Sequence, residues 1–247
     1  LVDDGSTLRG EVNMRDVVLT IKPGNRLGKA GAIRKGLERA MSDNPKAQYF
    51  IQSDFDGDPD PRQARAMVRM MIKRDIKGKD LVMILGERDR ALQKHGYWDA
   101  HRESLFLLQH KFCSALGYPE IVDLTTGLRV YTRGLAKVFV KYGKSEGFGS
   151  DVEQLILAKL FGAEIHPYKL VRARRRMGKT AVFKFLECQQ AIKIHQRQLN
   201  SVGLGAMAKL FLEMKPQEEI SLRNGEKRFK IQIVENNLRG VREVRGL

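Results

Sequence analysis

Cysteine, proline, aromatic residues and long apolar runs are all scarce in this chain. Its 247 residues include only two cysteines, which excludes a disulfide framework and a cysteine-based zinc cluster. No apolar run approaches the roughly 18 residues that a membrane-spanning helix needs. No secretory signal pattern is visible either, so we expect a reducing, cytoplasmic location. One tryptophan and 7% aromatic residues offer few surfaces on which nucleic-acid bases could stack.

Acidic residues are also in deficit, and the chain carries a net charge of +16. Apolar residues make up 42% of the sequence and charged residues 30%, which is typical of a globular protein and excludes a mostly disordered one. Such a charge attracts nucleotides, phosphorylated lipids, anionic membrane surfaces or nucleic acid, and does not choose among them.

Short apolar strands alternate with amphipathic helices in the first third of the chain. This alternation predicts βαβ units and a parallel sheet, whose ligands bind beyond the carboxyl ends of the strands. Leu1 and Val2 resemble the last residues of a strand, so we expect an earlier strand upstream. The predicted strands are 17–21, 49–51, 81–85 and 128–131, the predicted helices are 30–41, 62–72, 100–116, 152–161 and 182–214, and Asn224-Gly225 predicts a hairpin turn.

Carboxylates cluster in the turn that follows strand 49–51. Asp54 and Asp56 are two residues apart, and Asp58 lies two further on. Neighbouring carboxylates repel one another unless a cation joins them. Mg²⁺ or Mn²⁺ between these oxygens and a nucleoside diphosphate would resolve that repulsion. The alternative is a solvated acidic turn at the start of the helix near Arg62.

A second acidic turn, Asp3-Asp4-Gly5-Ser6, follows the presumed end of the upstream strand. By itself it is an ordinary turn and helix cap. Both turns are expected at the same edge of the sheet, and the glycine-rich segment 28–32 lies between them in the sequence. Glycines allow the backbone to approach a ligand closely, so together these segments predict one ligand-binding crevice.

Several segments, taken in order, resemble glycosyltransferase family 2, whose members have the GT-A fold. Val2-Asp3-Asp4-Gly5-Ser6, residues 25–36 and Asp54-Phe55-Asp56 match its nucleotide-sugar half. A closer likeness is to the dolichol-phosphate mannose synthase branch, which loads sugars onto polyprenyl phosphates. That likeness rests on the segments Gly86-Glu87-Arg88, Trp98-Asp99-Ala100-His101-Arg102, 123–131, 151–153 and 175–180.

The resemblance implies a Rossmann-like, mostly parallel α/β sheet flanked by helices. The catalytic domain would span residues 1–180, and a helical and β-hairpin extension would span 181–247. The first strand of the family would precede Leu1, so we expect this domain to be incomplete at its amino end. The implied activity is a metal-dependent, inverting transfer of a sugar from a nucleoside-diphosphate sugar, with Mg²⁺ or Mn²⁺ as cofactor.

The resemblance also assigns binding residues. Asp4 would lie near the nucleobase, Asp54 near the ribose or sugar, and Asp56 on the metal with help from Asp58. Arg88 and Arg175 are candidate phosphate ligands, because a guanidinium can grip phosphate with two parallel hydrogen bonds. The complete donor set is Val2, Asp4, Asp54, Phe55, Asp56 and Arg88, and Arg175 with Lys179 would hold a phosphate.

Asp151 occupies the position of the family's catalytic acid, and Glu153 follows two residues later. A hydroxyl acceptor needs such a base to remove its proton, whereas a phosphate acceptor is already ionised. The alternative for Asp151 is an N-cap of the helix from residue 152. The resemblance favours a polyprenyl phosphate as acceptor over a sugar hydroxyl.

Two further classes stay open. A basic nucleic-acid-binding protein would suit the charge and the cluster at 172–176, although no helix-turn-helix or zinc signature supports it. The second open class is a catalytically inactive relative of the glycosyltransferases that only binds a partner. We also expect peripheral contact with an anionic membrane face, because Leu204, Met207, Phe211 and Met214 form an apolar stripe on a basic chain. The alternative is that this stripe packs on the catalytic domain or on a second subunit.

Overall fold

The computed structural model describes residues 27–54, 61–73, 79–88, 109–171, 181–213, 216–220 and 227–231. For Pro61, residues 181–185 and the last two ranges, only the backbone is described. The predicted strand 17–21, the turn at Asn224-Gly225 and Met214 of the apolar stripe lie outside these residues.

A four-stranded sheet forms the centre of the fold. Its strands are β1 (Tyr49–Gln52), β2 (Val82–Arg88), β3 (Arg129–Thr132) and β4 (Glu164–Leu170), in the spatial order β1-β3-β2-β4. β2 pairs parallel with β4, whereas β3 runs antiparallel to both of its neighbours. Three of these four strands therefore point the same way, and the α/β sheet flanked by helices is confirmed, although the antiparallel β3 within it was not predicted. β2 continues beyond Gly86, where the sequence predicted its end.

The antiparallel strand β3 decides which loops meet at one edge of the sheet. Gln52, at the end of β1, pairs with Arg129, at the start of β3. Asp54 therefore emerges beside the residues that precede β3. The end of β2 at Arg88 lies at the same edge, because β2 and β1 run in the same direction.

Helices cover both faces of the sheet. Gly162, with φ at +69°, follows the turn that ends the fifth helix, as the sequence predicted, and a side chain there would be strained. Single 3₁₀ turns occur at Pro61–Gln63 and Gly147–Gly149, and a two-stranded antiparallel hairpin pairs Pro216–Ile220 (β5) with Lys227–Ile231 (β6). The helices are α1 (Gly28–Asp43), α2 (Ala64–Lys73), α3 (109–115), α4 (Arg133–Tyr142), α5 (Ser150–Leu160), α6 (Ala181–Ile194), α7 (Gln196–Ser201) and α8 (Gly205–Glu213).

The two faces of the sheet belong to two apolar clusters. Met83 and Leu85 of β2 join the larger cluster, with residues of α1, α3, α4, α5 and the later helices. Val82 and Ile84 alternate with them and join the smaller cluster under α2. Since successive residues of a strand point to opposite faces, a continuous apolar run such as 82–85 is what a sheet covered on both sides requires.

The helices after residue 180 share the larger core. Ala191 of α6, Leu199 of α7 and Phe211 of α8 are buried in it, and the Phe211 ring meets the Phe112 ring edge-on at 5.1 Å. Met207 and Phe211 of the predicted membrane stripe therefore pack inward. This agrees with the alternative stated above, in which the stripe packs on the rest of the protein. The stripe does not support membrane contact. The division of the chain at residue 180 stays a prediction.

Within the described residues, no helix is both long and apolar enough to cross a bilayer.

Phe211→Ala tests the joint core. Removing this buried ring should lower the free energy of unfolding by about 3–5 kcal/mol, because both the burial and its contact with Phe112 are lost. Urea unfolding followed by circular dichroism measures the loss. Phe161→Ala is the matched control, since Phe161 is 38% exposed and should cost less. Equal losses would contradict this account of the packing.

Candidate active site

Three side chains from distant parts of the sequence meet above the carboxyl end of β1. Asp54 follows β1, Lys29 lies in the first turn of α1, and Asp151 lies in the first turn of α5. The Lys29 Nζ atom is 3.2 Å from Asp151 Oδ2 and 3.4 Å from the nearer Asp54 oxygens. One ammonium group thus joins the carboxylate predicted for the donor to the carboxylate predicted as the base.

A fourth charge completes an alternating row. The Arg129 Nη2 atom is 3.4 Å from Asp151 Oδ1, so Asp151 lies between two cations. The order across the site is Arg129, Asp151, Lys29 and Asp54. Lys29 and Asp54 are 16% and 33% exposed at their side chains, whereas Asp151 is 4% exposed and Arg129 is fully buried. Solvent therefore reaches the Asp54 end of the row.

Burial and charge act in opposite directions on Lys29. Burial lowers the pKa of its ammonium, but the Asp151 and Asp54 carboxylates outweigh that effect, and the pKa is raised overall. The ring of Phe148, with its centroid 5.4 Å from Nζ, covers another side of the charge. Lys29 is consequently held as a cation under ordinary conditions.

The backbone conformation and the close packing around residue 28, just before Lys29, favour a glycine there. Gly28 has φ at +67°, and a Cβ atom there would lie 3.2 Å from the backbone nitrogen of Gly147. The glycine-rich segment was predicted to approach a ligand. At Gly28 the close approach is to the 3₁₀ turn before α5, and it fixes the start of α1 beside the start of α5.

Asp151 does not cap its helix through its side chain. α5 begins at Ser150, and no side-chain hydrogen bond caps it. The acidic residue in the first turn is favoured there by the helix dipole. Asp151 Oδ1 accepts no hydrogen bond within the described part of the chain, although the Arg129 guanidinium is near it. A buried oxygen of this kind is suited to a further donor.

Glu153, predicted beside Asp151 as catalytic, points into a separate network. Its Oε1 accepts the backbone N–H groups of Lys144 at 2.7 Å and Ser145 at 2.9 Å, and lies 2.8 Å from His195 Nε2. Burial raises the pKa of Glu153, but these hydrogen bonds outweigh it and lower the pKa overall. These contacts give the buried Glu153 carboxylate a structural role. It joins α5 to the residues after α4 and to the start of α7.

Arg88, predicted as a phosphate ligand, is engaged by a carboxylate. Its Nε and Nη2 atoms donate to the two oxygens of Asp123 at 2.6 and 2.9 Å, and Nη2 also donates to Thr125 Oγ1 at 2.8 Å. The fork that was expected to grip phosphate therefore grips the loop before β3.

A buried polar network supports Asp151 from below. Arg129 Nη1 donates to Gln154 Oε1 at 2.7 Å and to the Asp151 carbonyl at 3.1 Å. Gln154 Nε2 in turn donates to Gln52 Oε1 at 3.0 Å, and the Tyr131 hydroxyl donates to the same oxygen. Burial raises the pKa of Tyr131, which keeps this hydroxyl protonated and able to donate.

Lys29, Arg129 and Gln154 were not predicted as site residues. For Arg129 a signal existed, because an arginine between Leu128 and Val130 of an apolar strand has to be paired once it is buried. For Lys29 the signal was weaker, a single lysine within the glycine-rich start of a helix.

The remaining predicted site residues lie outside the described part of the chain. They are Val2, Asp4, Phe55, Asp56, Asp58, Arg175 and Lys179.

Asp54 is the described carboxylate that lies nearest to the predicted metal ligands Asp56 and Asp58 in the sequence. No group of three acidic, histidine or cysteine side chains converges among the described residues. Mg²⁺ and Mn²⁺ commonly bind through one or two carboxylates together with substrate phosphates, so a complete protein cage is not required. The partly exposed carboxylate of Asp54, two residues before Asp56, fits such an arrangement.

The fold of this chain is similar to that of solved glycosyltransferase structures. The chain matches no known family profile and no curated protein. Among solved structures it is similar to glucosyl-3-phosphoglycerate synthase from Mycobacterium tuberculosis in complex with Mn²⁺ and UDP-glucose, at 14% identity and a TM-score of 0.50, covering 94% of this chain and 76% of that one. It also resembles mannosyl-3-phosphoglycerate synthase from Rubrobacter xylanophilus, at 13% identity and a TM-score of 0.44, covering 83% of this chain. The chain spans 62% of the length of that enzyme.

The first of these similarities shows the architecture. The sheet and its flanking helices have the α/β arrangement of GT-A glycosyltransferase structures, as the sequence predicted. The sequence identity is too low for this likeness to show more than the fold.

Lys29→Met tests the alternating row of charges. At neutral pH it should lower the free energy of unfolding by on the order of 1–3 kcal/mol, because Asp151 loses one of two neighbouring cations. The folded-state pKa of Lys29 is raised, so its stabilisation is complete below the ordinary value of 10.5 and fades as the pH rises through the folded value. The difference between wild type and variant should therefore shrink above pH 10.5.

Urea unfolding at a series of pH values measures this difference. Lys35→Met is the control, because Lys35 pairs with Glu38 on the exposed surface and should contribute little. Equal losses for the two variants, or a difference that does not change with pH, would show that the row does not stabilise the fold.

Proposed function

We propose that the protein transfers a sugar from a nucleoside-diphosphate sugar to a phosphate-bearing acceptor, with the help of a divalent cation. The observation that carries the proposal is the joining of Asp54 and Asp151 across Lys29, at the edge of a GT-A sheet. The Mycobacterium tuberculosis structure of this fold contains Mn²⁺ and UDP-glucose, which supports this donor and cofactor class.

Asp54 is proposed to contact the ribose or sugar of the donor, because it is the exposed end of the charged row. Asp56 and Asp58, together with donor phosphates, would hold the cation, while Val2, Asp4 and Phe55 would contact the nucleoside. The cation would offset the negative charge that develops on the departing diphosphate. Lys29 places a second positive charge within 3.4 Å of Asp54, on the same side of the site.

The reaction exchanges one bond of the anomeric carbon for another. An acceptor oxygen attacks that carbon on the face opposite the diphosphate and forms the new bond. The bond to the diphosphate breaks, and its electron pair leaves with the diphosphate oxygen. If the acceptor is a hydroxyl, its proton must pass to a base, for which Asp151 is the candidate. If it is an ionised phosphate oxygen, no proton has to move.

The surroundings of Asp151 favour the ionised acceptor. One of its oxygens meets the Lys29 ammonium and the other lies near the Arg129 guanidinium. Both oxygens of Asp151 therefore already face cations, and an ionised acceptor needs no base at this place. We therefore propose a polyprenyl phosphate as the acceptor, with Arg175 and Lys179 as candidate ligands of its phosphate. Transfer to a sugar hydroxyl is the competing outcome.

Donor binding should be detectable as thermal stabilisation. UDP and GDP, each with Mn²⁺ or Mg²⁺, are the first probes, and a nucleotide at about 100 times its Kd should add roughly 2.7 kcal/mol to stability. Asp56→Ala should abolish the metal-dependent part of the shift. Asp43→Ala is the control, because Asp43 pairs with Arg39 on the surface of α1. Stabilisation by DNA or RNA alone, with none by nucleotides and metal, would favour the nucleic-acid-binding alternative.

The acceptor class can be tested with Asp151→Asn. If the acceptor is a polyprenyl phosphate, the transfer rate should fall less than about tenfold, since no base is required. If it is a hydroxyl, loss of the base should cost on the order of 100-fold or more. Rates with a short-chain polyprenyl phosphate and with soluble sugars, analysed by mass spectrometry, separate these outcomes. Efficient wild-type transfer to a sugar, with none to the lipid phosphate, would overturn the acceptor assignment.

A further inference from the structure

The loop Asp123–Gly127, here called the Asp123 loop, is fixed by hydrogen bonds from two strands. It precedes β3 and lies beside the end of β1. Asp123 is almost completely buried, although it carries a charge.

The end of β2 supplies the first set of bonds. Arg88 donates to both oxygens of Asp123 and to Thr125 Oγ1, and its backbone N–H lies 3.3 Å from Asp123 Oδ2. Glu87 Oε1 accepts the backbone N–H of Val122 at 2.7 Å. Burial raises the pKa of Asp123, but Arg88 outweighs it and the pKa is lowered overall, so the pair stays charged.

The start of β3 supplies the second set. Arg129 Nη2 donates to the Leu124 carbonyl at 2.5 Å, and its Nε donates to the Thr126 carbonyl at 3.3 Å. Within the loop, Thr126 Oγ1 donates to Asp123 Oδ2 at 2.9 Å. The backbone on both sides of residue 125 is therefore held in place.

The far end of the loop touches the donor-side carboxylate. A Cβ atom added to Gly127 would lie well under 3.0 Å from the Asp54 carboxyl group. Real Cβ atoms essentially never come so close to another atom. The Asp54 carboxyl group can therefore hold its present position only while residue 127 has no side chain.

We propose that the Asp123 loop is a positioning element for Asp54, with Gly127 as the contact surface and Arg88 as the anchor. Arg88 acts through Asp123 and does not serve as a ligand of the donor diphosphate. The contact between Gly127 and Asp54 stands on the geometry alone. Its consequence for donor binding rests on the function proposed above.

The contact is tested first in the protein without ligand. Gly127→Ala should lower Tm by roughly 2–4 °C, because the Asp54 carboxyl group has to move out of the space that the new methyl group takes. In the Asp54→Ala background, where the carboxyl group is absent, Gly127→Ala should lower Tm by less than half as much. In the Asp54→Asn background the amide fills the same space, so the full cost should remain.

Gly162→Ala is the matched control, since open space surrounds Gly162 and its cost should be the same with or without Asp54. A cost of Gly127→Ala that is equal in all three backgrounds would overturn the proposed contact. This outcome does not depend on whether the protein binds a nucleotide.

Donor affinity tests the role of Arg88. UDP and GDP, each with Mn²⁺, are titrated against Arg88→Gln, Asp123→Asn and the double variant. If Arg88 acts through Asp123, the single variants should lose affinity by similar factors of about tenfold, and the double variant should lose little more. If Arg88 binds phosphate directly, Asp123→Asn should keep its affinity and the proposal fails.

A milder variant covers the case in which these changes prevent folding. Thr126→Val keeps the shape of the side chain and removes its hydrogen bond to Asp123. It should weaken nucleotide binding severalfold while lowering Tm less than Asp123→Asn does, and unchanged affinity would contradict the positioning role. If wild type binds no nucleotide, the proposed function fails, and the Gly127 experiment alone decides whether the loop positions Asp54.

Discussion

The buried guanidinium of Arg129 is the charge on which the rest of the site depends. No water reaches it, so its charge and its N–H groups have to be satisfied by protein. It meets this requirement with the Asp151 carboxylate, the Gln154 amide and three backbone carbonyls. These partners lie in the loop before β3 and in the first two turns of α5. A single buried cation thus fixes both walls of the candidate site relative to the sheet.

The charges above Arg129 follow from the same requirement. Asp151 compensates Arg129, Lys29 compensates Asp151, and Asp54 faces the solvent end of Lys29. Charge alternates along the row, so every buried group has an opposite neighbour, which low-dielectric surroundings demand. Asp54, the partly exposed carboxylate of the row, lies at the end that solvent reaches, which is the end assigned to the donor in the proposed function. This arrangement is consistent with a site that exchanges internal counter-ions for those of a ligand.

The helices after residue 180 contribute to the site through packing. The Glu187 carboxylate of α6 accepts the backbone N–H of Phe148, in the 3₁₀ turn before α5. The Phe148 ring covers Lys29, so α6 supports the turn that backs the ammonium group. His195, between α6 and α7, makes a second contact of this kind, because its Nε2 atom lies within hydrogen-bond distance of Glu153 Oε1 in α5. The helices after residue 180 and the sheet are therefore joined at the residues that hold the site together.

Although helix α4 and the division of 182–214 into three helices were not predicted, the sequence by itself determined the α/β alternation, the approximate bounds of α1, α2, α5 and the first three described strands, and the acidic residues at the strand end and helix start. These features depend on periodicity and on turn-forming residues, which are local properties of the chain. Asp54 was found in this way, whereas Asp151 was singled out by the resemblance to glycosyltransferase family 2. The antiparallel insertion of β3 was not predicted, because strand order depends on pairing between segments far apart in the sequence.

Only the tertiary structure decided what each charged side chain contacts. Lys29 and Asp151 are 122 positions apart, and Arg88 and Asp123 are 35 apart. No pattern in a single sequence shows that a guanidinium meets a buried carboxylate sooner than a phosphate, or that Glu153 turns away from Asp151 toward His195. Burial selects those partners, because a charge removed from water is stable only beside a compensating group, and the fold determines which group is near.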